Sequence, residues 1–302
     1  MKRVLITGAT GFIGQHTIKC FDPDHFEIHC VTSNKNIDNS QDSVFWHTTN
    51  LLNDRDSFNL FKTVEPSHLL HLAWYTEPKK YWASDRNLKW LSASISMLEY
   101  FKEFKGERAT FVGTCAEYDW SYGFCSENVT PERPETLYGV CKKSLKEVCA
   151  SFCSQYGISF SWGRVFFLYG PNEHPVRLVP SVIVSLLRST PIDVTLGTQM
   201  RDFLYSRDVA SALVALLCSD VSGTVNIGSG EPVTIREITS KIGARLGRAA
   251  LINYGGIETP KNEPPLILAD TRRLRQEVGW SPQSTLDNGL DETIRWWEER
   301  IK

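Results

Sequence analysis

Apolar residues fall in short, near-continuous runs, separated by stretches where they recur every three or four positions. Five runs, Arg3–Gly8, Phe26–Thr32, His68–Trp74, Ala109–Thr114 and Ile158–Gly170, predict strands. Their weak alternation suits strands of a parallel sheet, which is covered on both faces. Between them the spacing predicts helices over Ile13–Phe21, Trp82–Phe104 and Thr136–Gly157, with Gly157 as a C-cap. Strand and helix in alternation predict an α/β fold, a Rossmann-type doubly wound parallel sheet.

The rhythm changes after about residue 170. Helical patterns cover Arg177–Thr190, the second half of Met200–Asp220, the second half of Gly223–Gly247, and Leu286–Lys302. These predict a smaller mixed α/β part. The expected division is 1–168 and 169–302, with part of the second piece returning to the main sheet and a cleft between the two.

At 302 residues the chain is long enough for a sizeable core, and 41% hydrophobic with 23% charged residues is an ordinary globular balance. A net charge of −2 gives no general attraction to nucleic acid or anionic membrane. No apolar run has the length of a membrane span. The first strand begins at once, with no signal-peptide pattern, so the expected location is the cytoplasm. Eight cysteines form no C-x-x-C pair and no zinc-site spacing, so reduced thiols and no metal are expected.

Chemistry starts at "TGATGFIG", Thr7–Gly14. Glycines at 8, 11 and 14, between a strand and a helix, suit a dinucleotide pyrophosphate, because they let phosphates approach the backbone amides. An NAD site usually ends its second strand with a carboxylate for the ribose. Here Ser33, Asn34 and Lys35 follow that strand instead, which favours NADP(H) through a 2′-phosphate contact; NAD(H) remains open, with Asp38 on the ribose.

"LYGVCKK" sets Tyr138 and Lys142 four apart, on one helix face. An ammonium beside a phenol favours its ionised form, so a lowered pKa and proton transfer by Tyr138 are expected. Thr114 ends the fourth predicted strand with a hydroxyl available to the same substrate oxygen.

Together these segments make the chain similar to the extended short-chain dehydrogenase/reductases, in the branch that acts on nucleotide sugars. "TGATGFIG", "HLAW", Asn87, "GTCAEY", "YGVCK", "RVFFLYGP", "RLVPSVI", "QMRDFLYSRDVA" and "NIGSGE" carry the resemblance over essentially the whole chain. It implies that 169–302 is mainly the nucleotide-sugar-binding part, and that Thr114, Tyr138 and Lys142 are catalytic, with Lys142 also on the nicotinamide ribose. It sets Thr7, Thr10, Phe12 and Ile13 against the cofactor, with Asn50, Leu51, Leu72, Ala73, Trp74, Tyr138 and Lys142. Cys115, Glu117, Phe167, Arg177, Leu178, Val179 and Arg201 take substrate-binding places, Arg201 near the diphosphate. A homodimer through two helices, one of them the Tyr–Lys helix, is also implied.

Departures from the family pattern narrow the reaction. Dehydratases of the family carry Asp–Glu after the threonine; this chain has Cys115–Ala116, which argues against dehydration. The cysteine and histidine of members that also epimerise beside the ketone are replaced by Ala116 and Arg177. Phe167 replaces a sugar-contacting asparagine, which suits a deoxygenated hexose or simply packs. The expected reaction is NAD(P)H-dependent reduction of a nucleoside-diphosphate 4-keto-6-deoxyhexose. The alternatives are an NAD-dependent 4-epimerase and a sensor that binds NADP(H) without turnover. The nucleotide base is not legible.

Overall fold

A computed structural model describes residues 1–33 and 44–301. Seven parallel strands form the main sheet: β1 (Lys2–Thr7), β2 (Phe26–Thr32), β3 (Val44–Thr48), β4 (His68–His71), β5 (Arg108–Thr114), β7 (Ser159–Val165) and β11 (Gly223–Ile227), in the order β11-β7-β5-β4-β1-β2-β3. The chain reverses direction of travel across the sheet between β1 and β4, so the crevice beyond their carboxyl ends is where such folds bind ligands. The fold is thus the Rossmann-like α/β arrangement expected from the apolar pattern.

The apolar runs alternate after all, but between two cores. Val4 and Ile6 join Ile28, Leu70 and the Leu213–Leu217 side of α6 (Ser206–Cys218) on one face. Leu5 joins Leu69 and Phe111 on the other, under α2 (Asp54–Val64), α3 (Arg86–Glu103) and α4 (Leu137–Tyr156). Both faces are therefore apolar, and period two disappears from the sequence. α4 starts where Thr136 accepts from the Gly139 amide, and it ends at Gly157 with φ +69°.

The predicted run Ile158–Gly170 divides. β7 stays in the main sheet, whereas β8 (Phe167–Tyr169) pairs with β10 (Met200–Tyr205) in a second sheet. That sheet has the order β12-β10-β14-β6, built from β6 (Phe124–Cys125), β12 (Pro232–Thr234) and β14 (Leu266–Ala269). A third pair joins β9 (Ile192–Val194) to β13 (Ile252–Tyr254). α5 (Leu178–Leu187), α7 (Ile235–Arg245) and α8 (Leu286–Glu298) pack around a separate small-lobe core centred on Val182, Ile238 and Leu290. α6 and β11, from the second half of the chain, lie on the main sheet. The helix predicted at 13–21 is one short turn, α1 (Gly14–Thr17), followed by a 3₁₀ turn at Ile18–Cys20. Among the described residues no helix is long and apolar enough to cross a membrane, and no cluster of His, Cys, Asp or Glu is placed to hold a metal ion.

Candidate active site

The turn after β1 is shaped by contacts that admit only glycine. Gly8 has φ +70°, and a Cβ there would stand 2.8 Å from the Ala73 amide nitrogen; at Gly14 it would stand 2.1 Å from the Gly8 carbonyl oxygen. The Gly11 amide closes the turn on Gly8 O at 2.9 Å. The Phe12 and Ile13 amides donate to no acceptor among the described residues. Free amides beside three glycines fit the pyrophosphate of a dinucleotide. Thr7 is different. It is fully buried, and its hydroxyl bonds His71 Nδ1 at 2.8 Å and accepts from the Ala73 amide, so it ties β1 to β4 and does not face a cofactor. Leu51 is also buried, and Asn50 accepts from the Leu52 amide. Ser33 is exposed at the end of β2; Asn34, Lys35 and Asp38 lie outside the described residues.

At the end of β5 the chain leaves extended geometry at once. Residues 115–117 form a 3₁₀ turn capped by Thr114, so strand alternation does not govern them. The turn sends Glu117 into the interior. Its carboxylate accepts from the Thr114 amide at 2.8 Å, from Trp162 Nε1 at 3.1 Å and from Arg164 at 2.7 and 2.9 Å. Fully buried and saturated, Glu117 supports the turn and is not a substrate contact. Cys115 is likewise buried, packed with Tyr118, Cys125 and Phe166. Ala116 is the residue that meets Tyr138 and Tyr81.

Tyr138, on the first turn of α4, is 9% exposed. Burial, and then the neighbouring Tyr81, push its phenol well above the usual tyrosine range, opposed by a hydrogen bond with Thr114. The lowered pKa expected from Lys142 is not realised. Lys142 Nζ donates to the Val112 carbonyl at 2.8 Å and lies 3.9 Å from the centre of the Trp74 ring. Its own pKa falls to about 7, through burial. Aromatic rings enclose the phenol: Tyr81 at 4.9 Å and 89°, Trp82 at 5.7 Å and Trp74 at 6.5 Å. This apolar wall comes from a loop, Trp74–Trp82, whose aromatics are visible in sequence as possible pocket lining.

Residues 4–228 match the model of the NAD dependent epimerase/dehydratase family. The chain belongs to that family. UDP-glucuronic acid decarboxylase 1 of Xenopus tropicalis is 27% identical, over 100% of this chain and 73% of the relative. UDP-glucuronate 4-epimerase of Thermodesulfobacterium geofontis is 24% identical, over 99% of this chain and 97% of the relative. The UDP-glucuronic acid 4-epimerase of Bacillus cereus, solved with UDP-glucuronic acid and NAD, superposes with a TM-score of 0.87 at 23% identity, over 99% of each chain.

In this member of the family the small-lobe candidates already have internal partners. Arg201 is 4% exposed; it donates to the carbonyls of Met200 and Pro264, pairs with Glu263, and lies 5.6 Å from the centre of the Phe167 ring. Arg177 covers Tyr81 at 5.3 Å and so reaches the aromatic wall around Tyr138. Val179 is buried in the small-lobe core, and the half-buried Leu178 packs against it. A cleft of about 390 Å³ opens beside Phe12, between Thr76–Pro78 and Asn172–Pro175, with Trp296 and Trp297 on its wall. Glu173 and Glu263 are the acidic residues that sequence reading missed. Glu263 stands 62 positions from its partner Arg201, so no local pattern marks it.

Proposed function

We propose that this chain reduces the 4-keto group of a nucleoside-diphosphate 4-keto-6-deoxyhexose, with NADPH as the preferred donor. The observation that carries the reading is the placing of Tyr138: its buried phenol stands beside Thr114 within an aromatic wall, where it can hand a proton to an oxygen forming at C4. When bound, the nicotinamide supplies the hydride. Tyr138 gives its proton to O4 and regains one from solvent, while Thr114 steadies the oxygen. Glycines 8, 11 and 14 with the Phe12 and Ile13 amides hold the pyrophosphate, and Lys142 reaches the ribose.

Ala116 and the aromatic wall support a sugar without a C6 hydroxyl, and the buried Cys115 offers no acid for dehydration. NADPH preference is supported by the absence of a carboxylate from Ser33 to Asn36. Exposed Val140 and Val148 on α4 support a homodimer through that helix.

A second reading, 4-epimerisation with tightly held NAD, is favoured by the 4-epimerases among the relatives. Incubation with NADPH and a panel of nucleoside-diphosphate 4-keto-6-deoxyhexoses separates the two. Stoichiometric loss of NADPH with a reduced sugar product is expected. Interconversion of UDP-glucuronate and UDP-galacturonate without net cofactor change would instead establish the epimerase.

A further inference from the structure

Three groups border the ammonium of Lys142. Lys142 is 4% exposed. Its Nζ is bounded by the Val112 carbonyl at 2.8 Å, by the Trp162 ring at 6.0 Å and by the Trp74 ring at 3.9 Å. The first is backbone of β5, inside the main sheet. The second is a fully buried core side chain whose Nε1 is spent on Glu117. Neither has room to move without unpacking the sheet. Trp74 is the exception: it is half-buried, in the irregular segment 72–77 that follows β4.

The indole is also latched. Trp74 Nε1 donates to Asn87 Oδ1 at 2.8 Å, and the buried Asn87 amide donates to the carbonyls of Tyr81 and Ser84 at 2.7 and 2.9 Å. One asparagine thus joins Trp74 to the loop that sets Tyr81 and Trp82 around Tyr138.

We infer that Trp74 is the gate of the nicotinamide seat: its ring occupies the face of Lys142 that a ribose hydroxyl must reach, and a nicotinamide dinucleotide binds only as the indole leaves. The inference rests on Lys142 being a cofactor ribose contact, as the proposed function has it. The glycine turn is open to the pyrophosphate, so the dinucleotide docks there first and its nicotinamide end then displaces the indole from the ammonium. Release of Trp74 frees Asn87 Oδ1 and loosens the hold on the Tyr81–Ser84 loop. Cofactor entry therefore precedes, and shapes, the sugar pocket.

The test is binding of NADPH and of NADH, without substrate, to the full-length wild type and to Trp74→Ala, by calorimetry and stopped-flow fluorescence. Removing the indole removes a competitor for the ammonium, so Trp74→Ala is expected to bind with a Kd roughly 3- to 30-fold lower and to associate faster. Wild type is expected to show a second phase whose rate levels off with cofactor concentration, and the variant to lack it. Equal or weaker binding by the variant overturns the gate. If Trp74→Ala does not fold, Trp74→Leu, which keeps apolar bulk without a π face or an N–H, is read by the same criteria. Lys142→Met in parallel separates the two premises. If it weakens binding while the Trp74 variants leave it unchanged, Lys142 stands as a cofactor contact and the gate falls. If it leaves binding unchanged, the Lys142 assignment falls and the gate with it.

Discussion

The carboxylate of Glu117 accepts from the Arg164 guanidinium at 2.7 and 2.9 Å, and neither side chain has any exposed surface. Arg164 extends the network to Glu132, which also pairs with Lys146. The Glu117 oxygens further hold Trp162 Nε1 and the Thr114 amide. A burial this complete makes the pair costly to break from one side, because the remaining guanidinium cannot return to water. Glu117→Ala is expected to lower the unfolding free energy by about 3–5 kcal/mol. Urea unfolding monitored by circular dichroism measures it, and a loss below about 1 kcal/mol would be no larger than that of an exposed pair.

The order of strands and helices in the first half was legible because each parallel strand leaves an apolar run and each covering helix an amphipathic one. β3 was not: Val44–Thr48 is an edge strand with only Val44 buried, so its pattern carries little signal. The division at Val165–Phe167 was hidden for the opposite reason. β7 and β8 are both apolar, and only pairing partners assign them to different sheets. Thr114, Tyr138 and Lys142 came from motif spacing, which fixes position on the chain but not direction. Lys142 turns toward Trp74, and Glu117 turns inward, because of tertiary partners 68 and 47 positions away. Gly113 shows how little of this is local. A Cβ there would stand 2.0 Å from Trp162 Nε1, yet nothing around it in sequence marks a special glycine.

Removing the phenolic oxygen tests the proton donor directly. Tyr138→Phe keeps the ring among Tyr81, Trp82 and Trp74, so packing is preserved. Turnover is expected to fall by about 10²–10⁴-fold. Kd for NADPH should stay unchanged, since the hydroxyl faces Thr114 rather than the glycine turn. Steady-state kinetics with fluorescence titration separates the effects. Retained turnover would remove Tyr138 from the reaction.

Lys142 ties stability to alkaline pH. Burial lowers its folded-state pKa to about 7, against an unfolded value of about 10.4. Between those values the unfolded chain binds the extra proton, so its share of stability rises with pH. The cost of the buried ammonium is complete below about pH 7 and vanishes above the unfolded pKa. Wild type is therefore expected to gain stability relative to Lys142→Met as pH is raised from neutral toward about 10. Paired urea titrations across that range measure the difference. A pH-independent difference would place the ammonium in water rather than under Trp74.

Glu173 makes the converse prediction. Its Oε2 is buried without a partner among the described residues, in the loop that borders the cleft beside Phe12. Burial raises its carboxyl pKa to about 8, with Arg177 opposing. The unfolded carboxyl titrates near 4.3, so between these values the folded chain holds the proton and stability falls as pH rises. The cost begins near the unfolded pKa and levels off above about pH 8. Glu173→Gln keeps the shape and removes the titration. It is expected to match wild type near pH 4 and to exceed its stability increasingly up to about pH 8. Thermal unfolding of the two proteins across that range reads the difference. A constant offset would mean that the carboxylate already finds water or a cation at the cleft, and that Arg177 is free to leave Tyr81 without penalty to Glu173.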